Sequence, residues 1–269
     1  MKRITSLLLL FVFCFLFLAY SAEGIAGTLQ DVRRRGKLIV GVKTDYPPLG
    51  FLDKKGVNKG FDIDIAKALA KELFENVEAI QFVPVTSENR IAFLTSKKID
   101  IIVATMTITE ERKKQVDFSS PYFITAQSIL VRGDSHITKY QDLAGKKVAT
   151  IRGSTGDIAI GELVPSAERM KFERNLEALQ ALKERRVEAF VEDYVLPFIL
   201  LQKNPGLKIA SLQPFRPARY GLAVRKGDKE WLDFINSTLA KMKETGEYEK
   251  LLEKWFGLEA KALWKFFKE

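Results

Sequence analysis

Short β-branched runs alternate with segments of helical period along most of this 269-residue chain, and that alternation restricts the fold more than any other feature. It points to an α/β architecture with largely parallel sheets. "KLIVGVK" (Lys37 to Lys43) is one such run, and it ends in "TDYPPLGF", where Pro47 and Pro48 forbid both a helix and a central strand. After a turn at Gly56, "GFDIDIAKALAKEL" places Ile65, Ala66, Leu69 and Leu73 on one helical face, with Asp62 or Asp64 placed to cap its free N–H groups. "IQFVPV" reads as a second strand, "SENRIAFLTSKK" as a short helix and "IDIIVATMT" as a third strand. A second series, "SILVRG", "KKVATIRGSTGDIAIGEL", "ALQALKERRVEAFVED" and "RYGLAVRKG", restarts the pattern near residue 127.

The first segment does not belong to that pattern. Lys2 and Arg3 precede the apolar run Leu7 to Leu18, and small residues follow at Ala19, Ser21, Ala22, Gly24 and Ala26, the order of a secretory signal. Residues 1–26 therefore read as a leader cleaved after Ala26, the run being short for a membrane span of ~20 residues. Cys14 follows Phe13, which is too large for a lipid-modification site. With the leader removed no cysteine remains, so the core alone must stabilise the fold.

The formal charge is +9, and removing Lys2, Arg3 and Glu23 leaves +8. Such a charge suits an anionic ligand or membrane surface, although the basic residues are scattered among acidic ones, as on a solvated lysine-rich exterior. No basic run with interleaved aromatics points to nucleic acid, and no nucleotide or metal motif calls for a cofactor.

In open α/β sheets ligands bind outside the carboxyl ends of strands. Polar residues cluster there: Lys43 after the first strand, Thr105 and Thr107 after the third, "RGSTG" (Arg152 to Gly156) after a strand of the second series, and Glu192 with Asp193 after "VEAFV". "TMTITEERKKQVDFSSPYF" (Thr105 to Phe123) adds threonines at alternate positions followed by Arg112.

Taken in order, "GVKTDYPPLGF", "KGFDIDIAKALAKEL", "KIDIIVATMTITEERKKQVDFSSPYF", "GKKVATIRGSTGD", "RRVEAFVEDYVLPF" and "YGLAVRKG" resemble the polar amino-acid-binding proteins of ABC importers, the extracellular solute-binding proteins of family 3. The similarity runs from about Leu29 to Phe256. It implies a two-lobed, type II periplasmic-binding-protein-like α/β fold, with a parallel-rich sheet in each lobe. Lobe 1 would comprise 27–121 and 222–269, lobe 2 would comprise 127–216, and hinge crossovers would lie at 122–126 and 217–221. It also implies an exported monomer, in the periplasm or on the outer face of the cytoplasmic membrane, that closes on a free amino acid and delivers it to membrane permease subunits.

On the same resemblance Arg112 is the carboxylate clamp, since a guanidinium makes two parallel charge-assisted hydrogen bonds that a lysine cannot copy. Thr107 and the Thr155–Gly156 loop join it, glycine allowing close backbone approach. Asp193, helped by the Thr105 carbonyl, matches the acceptor of the ammonium, and Tyr46 and Phe61 match aromatic walls. Thr109 and Thr125 read as local cap and strand residues, Phe51 as core. Lys43 and Arg90 supply two further cations, which implies a second carboxylate on the ligand and so glutamate or aspartate. Glu192 opposes that choice, and glutamine is the next.

A second class shares the resemblance, because periplasmic cyclohexadienyl dehydratases have a similar two-lobed fold. Their chemistry needs a positioned general acid, for which Glu192 is the one crevice candidate. His136, in "GDSHITKY", reads as an exposed turn. The last segment, "GLEAKALWKFFKE", reads as a terminal helix.

Overall fold

The computed structural model describes residues 27–210 and 215–257. The expected leader, and all but the first residue of the expected terminal helix, lie outside them. The first lobe begins with α1 (Thr28–Arg35) and β1 (Leu38–Val42), followed by three short strands, β2 (Asp45–Tyr46), β3 (Gly50–Leu52) and β4 (Asn58–Lys59). Then come α2 (Phe61–Phe74), β5 (Ile80–Pro84), α3 (Arg90–Thr95), β6 (Ile101–Val103), α4 (Glu110–Lys113) and β7 (Val116–Phe118). The second lobe holds β8 (Phe123–Arg132), β9 (Lys147–Ile151), α5 (Thr155–Leu163), β10 (Glu168–Phe172), α6 (Asn175–Lys183), β11 (Ala189–Asp193), α7 (Val195–Lys203) and β12 (Leu207–Ile209). β13 (Phe215–Tyr220) leads back to β14 (Ala223–Arg225), α8 (Lys229–Glu244) and α9 (Glu247–Phe256).

Each lobe has a sheet whose centre is parallel, β5-β1-β6 in the first and β10-β9-β11 in the second. Both sheets are completed by antiparallel strands: β14 beside β6 and β7, and β8 beside β11 and β12. The sheets are therefore mixed. A buried antiparallel strand carries the same unbroken apolar run as a parallel one, so strand direction is not visible in the sequence.

The chain passes between the sheets twice, from β7 into β8 and from β13 into β14. The two passages pair antiparallel, from Phe123 opposite Tyr220 to Gln127 opposite Phe215.

The N terminus of α2 departs from the sequence expectation. Neither Asp62 nor Asp64 caps it. The Phe61 N–H donates to the Pro48 carbonyl (2.9 Å) and the Asp62 N–H to that of Leu49 (2.8 Å), so the preceding loop caps the helix with its backbone. Gly60 makes this possible at φ 135°, where a Cβ would sit 2.0 Å from the Leu49 oxygen. Asp64 instead accepts from Trp255 Nε1 (2.7 Å) and Lys254 Nζ (2.6 Å), tying α2 to α9. Ile65, Ala66 and Leu69 are buried as expected, and so are Phe61, Ile63, Ala68 and Ala70, because α2 packs against α8 and α9 as well as the sheet.

Candidate binding site

The crevice is built from strand ends of both lobes. Lys43, one residue beyond β1, is 3% exposed and donates to Ser87 Oγ at 2.9 Å. Burial and the Arg90 charge push its pKa down, while Asp45 and Glu192 pull it up. Arg90, at the start of α3, is 2% exposed; its Nη1 donates to the Ala104 carbonyl at 2.6 Å, and its Nε has no partner among the described residues.

Beyond β6 the chain turns at Thr105, whose φ is 48°. The Thr105 N–H donates to Asp62 Oδ2 (3.0 Å), and Asp62 Oδ1 accepts from the Tyr122 hydroxyl (2.9 Å). Burial raises the Asp62 pKa to about 6, against the lowering effect of those two hydrogen bonds.

Arg112 is 8% exposed and reaches both lobes: Nη1 donates to the Thr107 carbonyl (2.8 Å) and Nη2 to the Gly153 carbonyl (3.0 Å). The Thr109 hydroxyl accepts from the Arg112 N–H (3.2 Å), which is its local cap role. Gly153, at φ 73°, lies against the Glu88 backbone of the first lobe, where a Cβ would come within 2.9 Å of Glu88 Cα. The Thr107 hydroxyl is 3.4 Å from that of Thr155. Thr155 and Gly156 form the first turn of α5, whose N-terminal amides bring partial positive charge to the crevice.

The acidic side comes from the end of β11. Asp193 accepts hydrogen bonds from the Gln127 amide and the Tyr220 hydroxyl, and its backbone carbonyl accepts from Tyr46 Oη at 3.3 Å. It does not cap α7. Glu192 Oε1 accepts from the Asp193 N–H at 3.0 Å. Burial drives both carboxyl groups upward in pKa; Asp193 is held back by Tyr220 and the Arg112 charge, and Glu192 by the Asp193 N–H and Lys43.

The fold thus assembles Lys43, Tyr46, Arg90, Thr105, Thr107, Arg112, Thr155, Gly156 and Asp193. Phe61 is fully buried, its ring stacked on that of Tyr122 at 6.3 Å. The Phe61 ring lies between Phe123 (5.8 Å), Tyr248 (5.7 Å) and Phe256 (5.7 Å), in the core beneath α2. By spacing alone Phe61 reads as core; its role as a wall is what the resemblance implies. Asp62, Gln127 and Tyr220 were not anticipated. Gln127 alone left a trace, as an amide inside the apolar run "FITAQSILV": a buried amide needs partners.

Buried cations and carboxylates gathered in one crevice complement a zwitterion, the charge pattern of a free amino acid. A model of bacterial extracellular solute-binding proteins, family 3, matches residues 38–258. The chain belongs to that family. This family member is 39% identical to the ABC transporter glutamine-binding protein GlnH of Bacillus subtilis, over 95% of this chain and 97% of that one. It is similar to the structure of an ancestral arginine-binding protein bound to glutamine, with 45% identity, coverage of 83% and 99%, and a TM-score of 0.78. The structure of the ancestral amino acid-binding protein AncCDT-1, a precursor of cyclohexadienyl dehydratase, is also similar, at 42% identity, coverage of 85% and 99%, and a TM-score of 0.78. The family is extracellular by description, and no helix among the described residues of this solute-binding protein is long and apolar enough to cross a membrane.

Proposed function

We propose that the protein is an exported, non-enzymatic receptor that captures a free polar amino acid between its lobes and passes it to the permease of an ABC importer, with glutamine as the preferred ligand. Arg112, the Thr107 hydroxyl and the amides of Thr155 and Gly156 receive the α-carboxylate. Asp193 and the Thr105 carbonyl receive the ammonium, and Tyr46 walls the stem. The lobes close about 122–126 and 217–221, and the inter-lobe bond from Arg112 to Gly153 belongs to the closed form.

The observation that carries the side-chain preference is the burial of Glu192 beside Lys43, each shifting the other's pKa. Glu192 lies close enough to Lys43 to raise its pKa, and Arg90 spends one donor on the Ala104 carbonyl, which reduces what the two cations offer a second carboxylate. A glutamate side chain would add a second carboxylate beside Glu192, whose own ionisation burial already disfavours. An amide offers N–H donors to Glu192 and an oxygen to Lys43. Likeness to the Bacillus subtilis glutamine-binding protein supports the same choice.

Calorimetric titration with glutamine, glutamate, aspartate and arginine, beside turnover assays with prephenate and arogenate, tests the reading. Glutamine should bind at least tenfold tighter than glutamate, about 1.4 kcal/mol, with no turnover. Tighter glutamate binding overturns the amide preference, and turnover of either cyclic acid overturns the receptor role.

A further inference from the structure

Thr105 is a β-branched residue at φ 48°, a backbone region that such a side chain disfavours and that persists only where surrounding structure enforces it. The enforcement is visible on both sides of a single peptide unit. The Ala104 carbonyl accepts from Arg90 Nη1 at 2.6 Å, and the N–H of the same peptide, that of Thr105, donates to Asp62 Oδ2 at 3.0 Å. A buried cation and a buried anion therefore grip one amide plane from opposite ends.

Neither side chain performs the task its position suggests. Asp62 sits in the first turn of α2 yet caps nothing there, and its second oxygen is fixed by the Tyr122 hydroxyl at 2.9 Å. Arg90 sits in the first turn of α3, where a cation opposes the helix dipole, and both residues are almost wholly removed from water. Burying two opposite charges costs more than an apolar pair of the same volume unless their hydrogen bonds are well made. Here each side chain makes one bond to the peptide that ends β6, while Arg90 Nε has no partner among the described residues, and a fixed amide plane sets both the ψ of Ala104 and the φ of Thr105.

We propose that Asp62 and Arg90 are positioning residues of the binding site: they clamp the Ala104–Thr105 peptide and so hold the turn that presents the Thr105 carbonyl and the Thr107 hydroxyl to the ligand. The inference rests on the reading of the crevice as an amino-acid site. It removes Arg90 from the set of ligand contacts and adds Asp62, which is not itself in contact with ligand. The grip offsets the cost of holding Thr105 left-handed, whereas a glycine adopts that conformation at no steric cost. The clamp and the side chain at 105 are therefore coupled.

The test is a set of double-mutant cycles read by calorimetry, with thermal unfolding recorded in parallel. Asp62→Ala and Arg90→Met should each weaken binding of the preferred amino acid at least tenfold, and together little more than either alone, because both release the same peptide. In a Thr105→Gly background, whatever that change does by itself, each loss should shrink to threefold or less. Asp62→Asn keeps an oxygen for the Thr105 N–H and should stay within about threefold of wild type. Equal losses in the threonine and glycine backgrounds would overturn the clamp and leave the pair as general fold stabilisers. If Asp62→Ala does not fold, the Arg90→Met cycle carries the test; if both fold only in the Thr105→Gly background, the coupling is upheld, and if neither folds in either background it is refuted. Wild type that binds none of glutamine, glutamate, aspartate and arginine would instead refute the amino-acid reading.

Discussion

The Asp45 carboxylate of the first lobe accepts a hydrogen bond from the Asn175 N–H at 2.7 Å, so α6 of the second lobe is capped from the lobe opposite. The helix has no side-chain cap of its own, Arg174 occupying that position. On the proposed hinge motion, opening the crevice would release a helix N terminus as well as a ligand. An N-cap contributes ~1 kcal/mol. Asp45→Ala should speed ligand release about fivefold in stopped-flow displacement and leave the circular dichroism unchanged. An unaltered release rate would mean the bond does not hold the closed form.

Arg112→Lys should abolish most binding while the fold survives. A lysine reaches the carboxylate with one point charge in place of two aligned donors, and loss of a buried, hydrogen-bonded charge partner costs ~2–5 kcal/mol. Calorimetry decides it. A dissociation constant within a few-fold of wild type would place Arg112 outside the ligand's reach.

Glu192→Gln should shift the preference from glutamine towards glutamate. The change removes a titratable carboxyl beside Lys43, so a ligand carboxylate no longer competes with a second carboxylate for that cation. The ratio of glutamate to glutamine affinity should rise at least tenfold, about 1.4 kcal/mol. A constant ratio would show that Glu192 does not face the ligand side chain.

Acidification should stabilise the ligand-free protein between neutral pH and about pH 4. Asp62, buried within the first lobe, binds its proton more tightly folded, near pH 6, than at its ordinary 3.8. For a raised pKa the stabilisation is complete below the unfolded value and is lost as pH rises through the folded one. For Asp62 the difference amounts to ~2–3 kcal/mol. Urea unfolding at pH 4.5, 5.5 and 7 should show this slope in wild type and a shallower one in Asp62→Asn. Parallel profiles would assign it to other groups.

Small-angle scattering should give a smaller radius of gyration at saturating ligand than without it, as expected of lobes that hinge about two strands. An identical profile in both states would count against a closing trap.

The α/β class was legible in the sequence because strands and helices announce themselves through local periodicity. The polar residues at strand ends that the fold gathers in the crevice were legible for a related reason: a strand's carboxyl end is a local position. Strand direction was not. The roles of Arg90 and Asp62 were decided by tertiary structure alone, since the peptide they grip lies 14 residues from one and 43 from the other. Sequence determines which charges a chain carries to the crevice, through short-range pattern. Which of them meets ligand and which is spent on the backbone is decided by burial, because a charge out of water must take whichever partner the fold brings within hydrogen-bond distance.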